Sequence, residues 1–342
     1  MTSAPAISTS RPHSWAWRAV FAVGPDLIIL ILFTALLAVL TLAYDGRITF
    51  VQSSFLLPFF ALVVLVGVVF ATNIRKLLTG DAAARRDFLT QSGQMVRDWS
   101  PFVLIIFIYE NLHELTYLIR PDVVDGSLRA IDEALFGVEP TLALQRITTP
   151  WLTELMTYAY ALYFFYPVFL MIVAYRKGAF HVFREMMLAL ALCNYLGFLG
   201  YITVPAIGPR YFMSHEFQVP LDGIWLAAKA AAAWNAFENL QRDCFPSLHT
   251  ALSTISLIYL WRLRRFYPGG RPILWVCAPL IVLLWLSTVY LRYHWTVDVL
   301  GGFVLAFLCT SLASTFIGWY YGKKLGRRVT LSVDEAAAAR RA

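Results

Sequence analysis

Eight stretches of this 342-residue chain are long and apolar enough to cross a bilayer as helices, and none contains Lys or Arg. They are residues 19–44, 55–73, 101–119, 152–175, 186–205, 248–261, 273–291 and 295–321. A hydrocarbon core about 30 Å thick takes about 20 helical residues. The sixth stretch is short, and part of it can begin in the preceding loop. Charged residues make up 14% of the chain and hydrophobic ones 59%, against roughly 25% and 45–50% in a soluble domain. The expected fold is all-α: a polytopic membrane helix bundle with about eight transmembrane helices.

The segments between the stretches predict orientation. With eight spans, the N-terminal arm, the second, fourth and sixth connections and the C-terminal tail share one side. They hold 20 of the 28 Lys and Arg residues. Basic loops stay cytoplasmic, so both termini are expected inside, in an integral cell-membrane protein. A seven-span chain would put the basic tail opposite the other basic loops. The net charge of +7 belongs to those loops; no soluble basic face suggests a nucleic-acid partner. Cys193, Cys277 and Cys309 lie inside apolar stretches and Cys244 is alone in a loop, so no metal spacing and no disulfide framework follows. The apolar segment after the N-terminal arm is too long for a signal-peptide core and is expected to be a retained helix.

Two outer connections are long. In 120–151, Leu128, Ile131 and Leu135 fall at helical spacing, Asp125 or Ser127 can cap the start and Gly137 can end it. An amphipathic helix at the membrane interface is expected there. The Ala-rich run 225–234 in the second connection predicts another.

Three segments carry unusual polar residues to that same outer boundary. They are Gly208-Pro209-Arg210-Tyr211, Cys244-Phe245-Pro246-Ser247-Leu248-His249, and Arg292-Tyr293-His294-Trp295-Thr296-Val297-Asp298. His294 and Asp298 stand at i and i+4, which share a helix face. A carboxylate there can accept from one ring nitrogen and leave the other as a nucleophile. His249 could protonate a leaving alkoxide. Arg210 and Arg292 could bind phosphoryl oxygens bidentately, and Ser247 adds a donor at a helix start. Singly, each has a plainer explanation: a boundary Arg snorkels, Ser247 caps its helix and Asp298 stabilises a helix start. Together, ionisable groups at membrane depth are costly and mark a functional site. Glu110, Asn111, His113 and Glu114 in the outer half of the third stretch, with Tyr211, are candidates for substrate binding. A polar network between helices is the alternative for that quartet.

These residues resemble the type 2 phosphatidic acid phosphatase superfamily. Pro246-Ser247-Leu248-His249 matches its Pro-Ser-x-His motif, and His294 with Asp298, followed by Gly301-Gly302, matches its third motif. The resemblance covers roughly 101–321. It implies a six-helix phosphatase-type core there, preceded by an arm and two additional helices in 1–100 and followed by a basic cytoplasmic tail, 322–342. Two positions depart from the usual pattern: Thr203 stands where the first motif has Lys, and Thr288 where the third has Arg. In both, the chain is similar to the branch containing the fungal inositol phosphorylceramide synthases. The resemblance implies that His294 attacks the donor phosphorus to form a phosphohistidine, that Asp298 orients it, and that His249 protonates the departing lipid alcohol and then activates the acceptor. It implies no metal and no cofactor.

The leading expectation is therefore a membrane lipid phosphotransferase of the inositolphosphotransferase type, acting on a membrane lipid donor at the extracytoplasmic face. A lipid phosphatase differs only in taking water as acceptor. A transporter and a metal site using His249, His294 and Asp298 remain as other classes.

Overall fold

A computed structural model describes residues 23–44, 82–110, 112–227, 229–230, 241–264 and 269–325, with two isolated positions besides. Among the described residues the chain is helical, without a strand. The helices are α1 (Pro25–Ala43), α2 (Ala82–Glu110), α3 (His113–Ile119), α4 (Asp125–Phe136), α5 (Pro140–Leu144), α6 (Pro150–Ala161), α7 (Phe165–Arg176), α8 (Phe180–Thr203), α9 (Pro209–Phe212), α10 (Leu248–Leu263), α11 (Gly270–Tyr290) and α12 (Thr296–Leu325).

Among the described residues, five helical stretches are long and apolar enough to cross a membrane: Pro25–Ala43, Pro150–Arg176, Phe180–Thr203, Gly270–Tyr290 and Thr296–Gly322. They correspond to the first, fourth, fifth, seventh and eighth expected spans. The second, 55–73, lies outside the described residues apart from Gly67. The third is not one helix: α2 ends at Glu110 and α3 begins at His113. The i, i+3, i+4 face expected for Glu110, His113 and Glu114 spans that junction, and the side chains of the quartet lie outside the described residues.

The sixth stretch, α10, has 16 residues. At 1.5 Å per residue that is about 24 Å, short of a full crossing. It packs against α7, α8, α11 and α12, and Ala251, Ile255 and Tyr259 on it are fully buried. His249 lies in the first turn of this enclosed helix.

The fourth span is interrupted by a 3₁₀ turn. Pro167 offers no N–H to the Tyr163 carbonyl and its ring crowds that oxygen; the chain relaxes into a 3₁₀ turn over Leu162–Phe164 between α6 and α7. At the far end of the bundle, Arg184 on α8 bonds Asp98 on α2 at 2.6 Å and lies 3.7 Å from Asp26 on α1. Glu185 accepts there from Arg262 at 2.9 Å, Tyr259 at 3.0 Å and Ser314. This layer ties the N-terminal helices to the bundle. From Arg184 to Thr203 along α8 is about 28 Å, so polar groups collect at two levels roughly one hydrocarbon thickness apart.

Helix α12 approaches the start of α10 closely at Gly302. A Cβ there would lie 2.6 Å from the Ser247 carbonyl oxygen, which is backbone. Gly302→Ala is expected to force the two helix starts apart at a cost of about 1–3 kcal/mol, lowering the melting temperature in detergent by several degrees together with activity. A variant that melts and turns over like wild type would contradict this packing.

Candidate active site

Backbone hydrogen bonds pin the three polar segments to one another. Arg210 N–H donates to the Arg292 carbonyl at 2.8 Å, Cys244 N–H to Ala206 at 3.3 Å, and Ser247 N–H to Asp298 at 3.1 Å. Gly208, at φ 79°, turns the first segment; a Cβ there would meet the Tyr293 carbonyl at 2.6 Å. Arg292 is the non-glycine residue with positive φ, 67°, among the described residues. Such a conformation costs of order 1–3 kcal/mol and is found where surrounding structure enforces it. Here the N–H groups of Tyr293 and His294 both donate to Thr288, at 3.0 and 3.1 Å, and hold the turn that presents His294.

Helix α4 supplies a second tie that the sequence did not suggest. Asp125 and Asp132 are fully buried, while Ile131 and Leu135 are 43% and 57% exposed. The expected apolar stripe thus faces outward apart from buried Leu128, and the acids face in. Asp125 does not cap its own helix: the preceding Val124 is the N-cap, with no side-chain bond. Its carboxylate instead accepts from Ile207 N–H at 2.9 Å, Gly208 N–H at 2.8 Å and Trp295 Nε1–H at 2.9 Å. One turn pair further on, Asp132 accepts from Thr296 N–H at 2.6 Å and Val297 N–H at 2.8 Å, at the start of α12. Two carboxylates on one face therefore clamp the first and third segments. The C-terminal Gly137 adopts the expected left-handed conformation, φ 74°.

The two histidines are in contact, His249 Nδ1 lying 3.1 Å from His294 Nε2. His294 Nδ1 is 2.9 Å from the Cys244 carbonyl oxygen and 3.5 Å from Asp298 Oδ2. Both partners accept, so Nδ1 carries the proton and Nε2 has the lone pair. His294 and Asp298 do not meet as two positions on one helix, because α12 begins only at Thr296. They meet because the Asp298 side chain reaches back over the start of α12, where its Oδ2 also accepts from Trp295 N–H at 2.8 Å. Cys244 Sγ lies 2.8 Å from the same oxygen. Burial, reinforced by Asp298, pushes the Cys244 thiol well up, so it remains a donor. His249 Nε2 is 2.8 Å from the Tyr160 hydroxyl. Neither Cys244 nor Tyr160 was singled out by motif.

Ser247, fully buried, is the N-cap of α10: its Oγ accepts from Thr250 N–H at 3.3 Å. Arg210 and Arg292 line a cavity of about 410 Å³ with Thr153, Tyr160, Phe217 and Tyr293. Tyr160 contacts His249 and Tyr293 precedes His294, so the cavity adjoins the histidine pair. Arg292 donates to the Val219 carbonyl at 2.5 Å and sits 4.0 Å over the Phe217 ring. Arg210 lies 5.2 Å from the Tyr293 ring centroid, and its buried Nη1 finds no acceptor among the described residues. Tyr211, 5.6 Å from the Arg210 guanidinium, is not part of the cavity lining. Gln145 and Glu154 hold the cavity's outer wall: Gln145 Oε1 accepts from Gln218 and Val219 N–H groups, and Glu154 from those of Ile224, Trp225, Leu226 and Ala227.

Cys244, His294 and Asp298 place one potential ligand atom each within 4.8 Å of one another. This trio differs from the metal set expected from sequence, since His249 turns its nitrogens to His294 and Tyr160. Its members already bond to one another, and Asp298 Oδ1 is the oxygen left without a partner.

The chain belongs to the PAP2 superfamily, whose family model matches residues 127–312, more than half of its length. Among curated proteins it is similar to the inositol phosphorylceramide synthase of Candida albicans, 27% identical in an alignment over 201 residues that covers 55% of this chain and 41% of that protein. The chain thus spans about two-fifths of that relative's length. No solved structure matches it significantly.

Burial pushes Asp132 up to about 6, against the two N–H bonds that lower it, with Asp298 and Glu139 adding to the rise. A carboxyl raised on folding contributes stability that is complete below its unfolded value and is lost as pH rises through the folded one. Wild type is therefore expected to gain melting temperature relative to Asp132→Asn as pH falls from about 7 to 4. Parallel melting curves across that range would contradict it.

Proposed function

We propose that the chain is a membrane lipid phosphotransferase of the inositolphosphotransferase type. The observation that carries this is the state of His294: its Nδ1 proton is committed to the Cys244 carbonyl and Asp298, and its Nε2 lone pair faces His249. In the reaction, His294 Nε2 forms a bond to the donor phosphorus as the bond to the lipid alcohol breaks. His249 Nδ1 delivers a proton to that departing oxygen. The acceptor hydroxyl then gives its proton to His249 and attacks the phosphorus, releasing His294. Asp298 steadies the imidazole and its developing charge. Arg210 and Arg292 neutralise the phosphoryl oxygens, Arg210 through its open Nη1 and Arg292 after exchanging the Val219 carbonyl for the substrate. Ser247 acts through the start of α10 that it caps.

A donor phosphodiester suits two guanidiniums, since it carries less charge than a monoester and the positions usually held by a further Lys and Arg are Thr203 and Thr288. The Candida albicans relative, an inositol phosphorylceramide synthase, supports the same choice. We assign residues 101–321 to the catalytic membrane domain, with a six-helix core inside an eight-span chain. Residues 1–100 form an N-terminal addition and 322–342 a cytoplasmic tail. Both termini are cytoplasmic and the histidines open to the other face, as the charge bias of the connections favours. The quartet Glu110, Asn111, His113 and Glu114 is a candidate acceptor-binding group.

Purified protein given phosphatidylinositol labelled in its phosphate should yield a labelled ceramide product when ceramide is added. Acid-labile, alkali-stable label should appear on His294 after a rapid quench. His294→Ala should lose at least ~10³-fold in turnover. Labelled inositol phosphate formed at the same rate without ceramide would make the acceptor water. Near-normal turnover by His294→Ala would overturn the mechanism.

A further inference from the structure

The direction of every hydrogen bond through the histidine pair follows from one end. The Cys244 carbonyl can only accept, so His294 Nδ1, 2.9 Å away, is the donor and His294 Nε2 the acceptor. His249 Nδ1, 3.1 Å from that nitrogen, must then carry a proton. In the uncharged pair, this leaves His249 Nε2 as an acceptor, and the Tyr160 hydroxyl 2.8 Å away donates to it. The resting nucleophile is thus covered by the proton of its own partner, and the chain runs on to a phenol.

Tyr160 is held firmly in that place. It is 4% exposed, with its ring stacked 4.8 Å from Tyr293 and 4.7 Å from the His249 ring. Tyr163, one turn along in the 3₁₀ segment, packs 4.2 Å from the same imidazole. The 3₁₀ turn before Pro167 therefore sits where the span meets His249.

We propose that Tyr160 is the positioning residue for His249, and that its hydroxyl reverses direction during turnover, donating to the resting imidazole and accepting from the working one. This rests on the phosphohistidine mechanism above. When a phosphodiester enters between the rings, the His–His bond opens and His249 takes a proton from bulk water. The imidazolium presents Nδ1–H to the leaving oxygen and Nε2–H to the Tyr160 oxygen. After the first transfer the remaining proton is on Nε2, still bonded to Tyr160, and the Nδ1 lone pair receives the acceptor's proton. One proton leaves His249 and one returns; Tyr160 keeps its own throughout. A hydroxyl serves both states by rotating, whereas a carbonyl or carboxylate could only accept.

Tyr160→Phe keeps the stacked ring and removes the hydroxyl. It is expected to lower kcat by about ten- to a hundredfold with KM little changed. The alkaline limb of the kcat–pH profile should move to lower pH, because the imidazolium loses its acceptor. Tyr158→Phe, on the exposed face of the same helix, should behave as wild type. An unmoved pH limb in Tyr160→Phe overturns the assignment, whatever the rate. If His294→Ala is inactive while Tyr160→Phe is unchanged, the Tyr160 assignment alone falls; if His294→Ala is active, the mechanism falls first. Where Tyr160→Phe folds poorly, 3-fluorotyrosine at position 160 weakens the oxygen as an acceptor without altering shape. It should shift the same limb in the same direction, and no shift overturns the proposal.

Discussion

The carboxylates of Asp125 and Asp132 meet five N–H groups that would otherwise be stranded among apolar side chains: those of Ile207, Gly208, Thr296 and Val297, and the indole of Trp295. An unsatisfied buried donor costs about 1–3 kcal/mol. The turn of the first segment and the start of α12 can therefore exist in these positions only with α4 docked on them. That constraint is non-local: Asp125 and Trp295 are 170 positions apart. It sets the relative placement of Arg210, His294 and Asp298 before any of them does chemistry.

Given that frame, smaller requirements fall into line. Gly208 and Gly302 let backbone approach backbone where a methyl group would collide with a carbonyl. Arg292 accepts a left-handed conformation so that the chain can turn between α11 and α12. The Cys244 carbonyl fixes the tautomer of His294 and, through it, the orientation of His249 and Tyr160. Among the described residues, Arg210 Nη1 and Asp298 Oδ1 are both buried without a partner, one on a cation open to an anion and the other on the carboxylate that bonds His294.

Much of this was legible in the sequence, and the part that was not shares a physical cause. His249, His294, Asp298, Arg210 and Arg292 stand out because charge is expensive near a membrane, and the short Pro-Ser-x-His spacing is a local pattern. All three segments are indeed brought together. Asp125 was legible only as a local helix cap, because nothing in its neighbours says that its carboxylate faces a turn 82 residues away. The amphipathic helix expected over this connection is present as α4, but which of its acids face inward, and what they hold, is set by segments far away in sequence. Tyr160 is one of 17 tyrosines in an aromatic-rich chain, and only the fold marks it. The i, i+4 spacing of His294 and Asp298 pointed to the right pair through a helix that has not yet begun.

The proposed chemistry requires that His294 Nε2 be the atom that meets phosphorus, with His249 moving aside to admit it. A cryo-EM structure of the detergent- or nanodisc-held protein with orthovanadate, a mimic of a five-coordinate phosphoryl group, tests this directly. Vanadium bonded to His294 Nε2, the two imidazoles parted beyond their 3.1 Å contact and Arg210 turned onto the vanadate oxygens would be the expected result. Vanadate bound elsewhere, with the two rings still in hydrogen-bonding contact, would contradict it.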